Sequence, residues 1–251
     1  MVKKIFITLL LLSVTLFAQK ITIFAASDLK FALDTIKADF LKAHKNDTIN
    51  IIYGSSGKGR VQIERGAPYD IYFSANMDYV KYLYNKGFII TKPKLYAIGR
   101  LVIWSKNKNF QSAKSFENFT QPWVNKITIA NPNHAPYGQK AKQALQSMHL
   151  YKKLKPKIVF GENISQTTNY INIKAADIGI IALSLALAPN IRQSPFHDYY
   201  LIDDSLHEPL YQGYGITSHA KSSSLAQEFI SFFQQADSQK IMRAYGFKVA
   251  K

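Results

Sequence analysis

Apolar and polar positions along this chain alternate in two rhythms. Ile21 to Ala25 (ITIFA) is a β-branched, strand-like run, and after it Leu29, Ala32, Leu33, Ile36 and Phe40 recur with the spacing of one helix face. Asp28 stands where a helix N-cap is expected. The pattern repeats: Ile49 to Tyr53 leads into a glycine turn and a short helix around Val61 to Arg65, stopped by Gly66. Asp70 to Ser74 leads into a helix from Met77 to Lys86, stopped by Gly87. Lys126 to Ala130, Lys157 to Phe160 and Ile178 to Ala182 are further strands with helical segments between them. Strands alternating with helices predict an α/β protein with mainly parallel sheets flanked by helices.

Two stretches break this rhythm. Leu95 to Ser105 (LYAIGRLVIWS) is a long extended run interrupted by Gly99, and Pro209 to Thr217 (PLYQGYGIT) is a second, glycine-rich one. If both carry the chain between lobes, residues 19–98 and 211–251 form one lobe and residues 99–210 the other, a pair able to close over a ligand. A single larger sheet with two long strands meets the same periodicity.

The strand-to-helix junctions hold small polar residues. They are Ala26-Ser27-Asp28, Gly54-Ser55-Ser56-Gly57, Asn131 to Gly138 (NPNHAPYG) and Gly161-Glu162-Asn163-Ile164. Ligands of open parallel sheets bind outside the carboxyl ends of strands, where helix N-termini present unpaired N–H groups and a positive dipole end. Each junction alone is explained by capping. The set of four, two per lobe, suits a compact oxyanion held by hydroxyls and main-chain amides.

Compartment and charge narrow this further. Lys3 and Lys4 precede the apolar run Ile5 to Ala18, the length of a signal-peptide core and short of the roughly 18 residues of a membrane span. Cleavage is expected near Ala18, giving an exported protein. The 251-residue chain has 32 Lys+Arg against 16 Asp+Glu, and losing residues 1–18 with their two lysines leaves +14. The bases are spread out rather than gathered in runs, which speaks for a solvated surface and against nucleic acid. The absence of cysteine excludes thiol catalysis, Cys-ligated zinc and iron–sulfur chemistry, and predicts a protein with no lipid anchor on an N-terminal cysteine.

The stretches ITIFAASDL, YGSSGKGRVQIERGAPYDIYFSAN, ITIANPNHAPYGQKAKQAL and AYGF together resemble the periplasmic molybdate-binding proteins of ABC importers, from about residue 20 to 248. The resemblance implies a two-lobed type II periplasmic binding fold. It also implies molybdate or tungstate as the ligand, a membrane permease as partner, no cofactor and no enzyme activity. The ligand positions it implies are Ser27, Asp28 and Ser56 in the first lobe and Tyr137 and Ile164 in the second, all contacting oxyanion oxygens and none ligating the metal. Ile164 would act through its backbone N–H. Where many relatives carry a tyrosine after a later strand, this chain has Ala182, and Tyr137 replaces a small residue, so the phenol donor is inferred to have moved to Tyr137.

Asp28 stands where the family usually has serine. A carboxylate about 5 Å from the anion, at an effective dielectric of about 20, is repelled by about 3 kcal/mol per unit of ligand charge. The expectation is therefore that Asp28 offers its main-chain N–H while its side chain caps the helix or pairs with Lys58, leaving Ser27 as hydroxyl donor. Lys58 and Arg60 read as exposed helix-start bases. A binding protein for another oxyanion, sulfate or phosphate, is the alternative within this class. A secreted serine-type hydrolase using Ser56, His134 and Asp28 or Asp70 is the alternative outside it, without a GxSxG elbow to support it. The six histidines lack HxxxH spacing, and Gly54 to Gly59 lacks that of a phosphate-binding P-loop. Two-lobed binding proteins that must close freely are expected as monomers.

Overall fold

The computed structural model describes residues 18–249, so the expected signal segment lies, apart from Ala18, outside the described residues. The first sheet holds β1 (Lys20–Ala26), β2 (Thr48–Gly54), β3 (Ile71–Ser74), β4 (Lys94–Gly99), β10 (Leu210–Ile216) and β11 (Lys248–Val249), in the order β11-β4-β10-β3-β1-β2. The second holds β5 (Leu101–Ser105), β6 (Ile127–Ala130), β7 (Ile158–Gly161), β8 (Ile178–Ala182) and β9 (Tyr199–Leu201), in the order β7-β6-β8-β5-β9. The helices that bear on function are α1 (Lys30–Leu41), α2 (Ser56–Glu64), α3 (Met77–Asn85), α4 (Pro136–Ser147), α5 (Tyr151–Leu154), α6 (Ile164–Asn172), α7 (Leu183–Ala186), α8 (Pro189–Arg192), α9 (Ser224–Phe233) and α10 (Ala236–Ala244).

Strand alternation explains why each sheet is covered on both faces. Ile21, Ile23 and Ala25 of β1 join Ile71 and Phe73 of β3 in one core, against Leu33 and Phe40 of α1 and Phe229 and Phe233 of α9. The residues between them, Phe24 and Tyr72, point the other way and pack with Ile63 of α2 and Val80 and Leu83 of α3. The second lobe repeats the device. Leu101, Ile103, Ile178 and Ile180 share a core with Ala141 and Leu145 of α4, while Val102, Trp104 and Ile181 face Ile171 and Ile191.

The sheets are mixed. β1 pairs in parallel with β2 and β3, and β6 with β7 and β8, as successive βα units require. The connecting strands run the other way: β10 is antiparallel to β3 and β4, and β5 to β8 and β9. The extended run Leu95 to Ser105 is split at Arg100, with β4 in the first sheet and β5 in the second. Leu210 lies opposite Gly99, so the outgoing and returning chains leave the first sheet side by side.

Phe233 is fully buried and packs its ring against Phe73, Tyr96 and Tyr214, with centroids 4.9 to 5.9 Å apart. Phe233→Ala is expected to cost about 3–5 kcal/mol of unfolding free energy, seen as a lower urea midpoint at unchanged slope.

Candidate functional site

The four polar junctions meet between the lobes. The turn of helix Ser27–Leu29 after β1 and the start of α2 after β2 come from the first lobe; the starts of α4 after β6 and α6 after β7 come from the second. Together with Ala75 they border a small cavity lined by Ala26, Ser27, Asp28, Gly54, Ser55, Ser56, Ala135, Pro136, Tyr137 and Ile164. All five residues named from the sequence line it, and all five are buried. Two wider clefts open along the same seam, one beside Met77, Leu95 and Tyr211 that touches the start of α4 at Pro136 and one beside Lys30, Tyr53 and Asn169 that touches Ser27 and Asn163, but neither gathers all four junctions.

The donors divide by what already occupies them. Ser56 Oγ accepts the Ala75 N–H at 2.9 Å, and among the described hydrogen bonds its own proton has no protein acceptor, so it is available to a ligand. Tyr137 and Ile164 sit in the first turns of α4 and α6, where main-chain N–H groups have no intrahelical partner. The Ile164 side chain adds an apolar wall. Ser27 departs from the expectation of a free hydroxyl donor. Its Oγ donates to Asn163 Oδ1 at 3.2 Å and accepts the Ser165 N–H at 3.2 Å, stitching the lobes together at the cavity edge.

Asp28 also departs from expectation. It neither caps α1, whose N-cap is Leu29 without a side-chain bond, nor pairs with Lys58, which reaches Glu162 instead. Its Oδ2 accepts from the Tyr137 hydroxyl at 2.9 Å and from Gln212 Nε2 at 2.9 Å. The Tyr137 phenol proton is thus directed at Asp28 rather than at the cavity, and its oxygen accepts from Gln212 Nε2 at 3.0 Å. Tyr96 completes the chain by donating to Gln212 Oε1 at 2.6 Å. The reason is topological: Asp28 faces α4 of the other lobe and the crossing strand β10, whereas Lys58 lies a turn into α2.

Gly99 makes room for this network, since a Cβ there would come within 2.4 Å of both Gln212 Nε2 and the Tyr137 hydroxyl. Burial pushes the Asp28 carboxyl up to about 6, against the opposing pull of Gln212, Tyr137 and the N–H groups of Asp28 and Leu29. Its contribution to the stability of this arrangement is therefore full below the ordinary 3.8 and lost as pH rises through about 6. The same burial raises the Tyr96 and Tyr137 phenols, which stay protonated.

The seam carries a second set of bonds that the sequence reading passed over. The main-chain oxygen of His134 accepts from Gly57 N–H at 2.9 Å and from Ser55 Oγ at 2.6 Å, and His134 Nδ1 lies 2.8 Å from Ser55 Oγ. His134 thus meets Ser55 and not Ser56, and its imidazole is held below its usual pKa, chiefly by burial. Lys58 and Glu162 form an ion pair across the same seam, and Arg60 pairs with Glu64 at 2.8 Å within α2. Gln212 carried a signal, an amide set among aromatic and glycine residues on a crossing strand, yet only the fold reveals that it is fully buried beside Asp28.

Residues 21–248 match the family of bacterial extracellular solute-binding proteins. The chain belongs to that family. This solute-binding protein is 31% identical over 231 residues to YvgL of Bacillus subtilis, a candidate ABC transporter substrate-binding lipoprotein, across 90% of this chain and 85% of YvgL. It is 27% identical over 201 residues to the molybdate-binding protein ModA of Rhodobacter capsulatus, across 80% of this chain and 77% of ModA. Among solved structures, the periplasmic molybdate-binding protein of Azotobacter vinelandii superposes with a TM-score of 0.84 at 28% identity, covering 92% of this chain and 100% of that one. Among the described residues no helix is long and apolar enough to cross a membrane.

The contact between the lobes depends on a main-chain approach at Gly57, where a Cβ would fall 2.5 Å from the His134 oxygen. Gly57→Ala is expected to keep the lobes apart and weaken solute binding at least tenfold, about 1.4 kcal/mol, in a calorimetric titration, with a melting temperature within a few degrees of wild type.

Proposed function

We propose that this solute-binding protein captures a tetrahedral oxyanion, molybdate or tungstate, in the seam cavity and delivers it to the permease of an ABC importer. The observation that carries this reading is the cavity itself. It is small, and four strand-to-helix junctions border it. Among the described residues no lysine or arginine lines it, so the anion's charge falls to the Ser56 hydroxyl and to the main-chain N–H groups of Asp28, Tyr137 and Ile164, with Ser27 at the edge. The similarity to the molybdate-binding proteins of Rhodobacter capsulatus and Azotobacter vinelandii supports the same ligand.

In this reading residues 19–98 and 211–251 form one lobe and residues 99–210 the other, the protein works as a monomer in the periplasm, and it performs no covalent chemistry. Specificity follows from size and donor count, because an anion too small for the cavity leaves donors unpaired.

Calorimetric titration of the protein lacking residues 1–18 is expected to give heat with molybdate and tungstate and none with sulfate or phosphate. Heat from sulfate or phosphate alone would overturn the assignment. Tyr137→Phe is expected to weaken molybdate binding roughly tenfold with the melt preserved, since it strips one donor from a buried carboxyl and one of the two acceptors from the Gln212 amide. Unchanged affinity in that variant would take Tyr137 out of the site.

A further inference from the structure

The Asp28 carboxyl has two oxygens in very different situations. Oδ2 accepts two hydrogen bonds, from Tyr137 and Gln212. Oδ1 is buried without a hydrogen-bond partner, in a residue 1% exposed that lines the cavity. A buried oxygen left unpaired calls for an explanation. The groups set against the carboxyl are Tyr137 from α4, Gln212 from β10 and, behind Gln212, Tyr96 from β4, with the main-chain N–H groups of Asp28 and Leu29 beside it. The two phenols are held neutral by burial, and among the described residues no lysine, arginine or histidine pairs with Asp28.

The ligand sharpens the problem. An oxyanion offers acceptors only, and the neighbouring polar atoms that face it, the Ser56 hydroxyl and the helix N-termini, are donors. An ionised Asp28 would set a bare acceptor against an acceptor, charge against like charge. A proton on Oδ1 reverses this. Oδ2 keeps both of its donors, Oδ1 becomes a donor, and every atom of the Asp28–Tyr137–Gln212–Tyr96 chain is matched.

We propose that Asp28 holds a proton on Oδ1 when the cleft closes on its oxyanion, so that capture of each anion takes up one proton from solution whenever the free site is ionised. This rests on the oxyanion reading above. The proton comes from water or buffer, no bond other than O–H forms, and the closed complex carries one charge fewer than the sum of its ionised parts. Asp28 then ties the strength of anion capture to the acidity of the compartment. Burial, which raises this carboxyl to about 6, puts the change above the ordinary carboxylate range.

Molybdate binding is measured by calorimetry between about pH 6 and about pH 8, in two buffers of different ionisation heat, for the wild-type protein and Asp28→Asn. Wild-type affinity is expected to fall toward tenfold per pH unit above the free-site pKa, with close to one proton taken up per anion at the alkaline end. Asp28→Asn, which supplies an N–H donor at every pH, is expected to bind with flat affinity and no proton uptake. A wild type with flat affinity and no proton uptake overturns the proposal while leaving the oxyanion reading in place. A pH dependence retained in Asp28→Asn overturns the assignment to this residue. No heat with molybdate from either protein at any pH overturns the oxyanion reading and the proposal with it. Should Asp28→Asn fail to fold, the wild-type proton count decides alone.

Discussion

The centre of this molecule is organised by one costly act, the burial of a carboxyl group between two lobes with no cation among the described residues to balance it. Every neighbour of Asp28 is arranged to make that tolerable. The Tyr137 hydroxyl arrives from α4, the Gln212 amide from β10, and Tyr96 on β4 orients the amide from behind. Each of these groups is itself buried, so none has water to fall back on. Phenol, amide and carboxyl therefore hold one another in place. The absence of a side chain at Gly99 is what lets them meet.

Around that centre the donors available to a guest are those the fold leaves over. Helix starts produce them as a matter of geometry, because the first turn of any helix has N–H groups without partners. What is particular to this chain is which hydroxyls are already in use. Ser27 and Ser55 both spend their protons on the opposite lobe, on Asn163 and His134, while Ser56 uses only its acceptor side, on the Ala75 N–H. Three serines that look alike in the sequence therefore divide into two seam bonds and one free donor. The positive net charge takes no part at this level. Lys58 is engaged with Glu162, Arg60 with Glu64, and no base among the described residues lines the cavity.

Much of this was legible in the sequence, for identifiable reasons. The period-two and period-3.6 patterns located β1, β2, β3, β6, β7 and β8 to within a residue or so, and β8 at both ends, because each strand is closed by a polar junction or a helix start. The junctions marked the segments that border the cavity, and the family resemblance singled out the five residues within them. The three-residue β9 and two-residue β11 are too short to show a period, and the split of the 95–105 run between two sheets follows from pairing rather than from local pattern. Side-chain partners were the least legible part. Asp28 was expected to turn toward Lys58, but its true partners lie 109 and 184 residues along the chain, on elements that only the assembled lobes bring near.

The side-by-side departure of the two connecting strands has a mechanical consequence. Gly99 and Leu210 are paired neighbours in one sheet, so the two straps between the lobes are fastened at one place, like adjacent knuckles of a door hinge. Two straps suppress sliding and free twisting of the lobes and leave bending about a single axis as the soft coordinate. Gln212 sits two residues beyond that axis on β10, with its amide on the carboxyl of Asp28. The pivot and the floor of the cavity are thus joined through one side chain, and the angle between the lobes and the chemistry of the guest share a common lever arm.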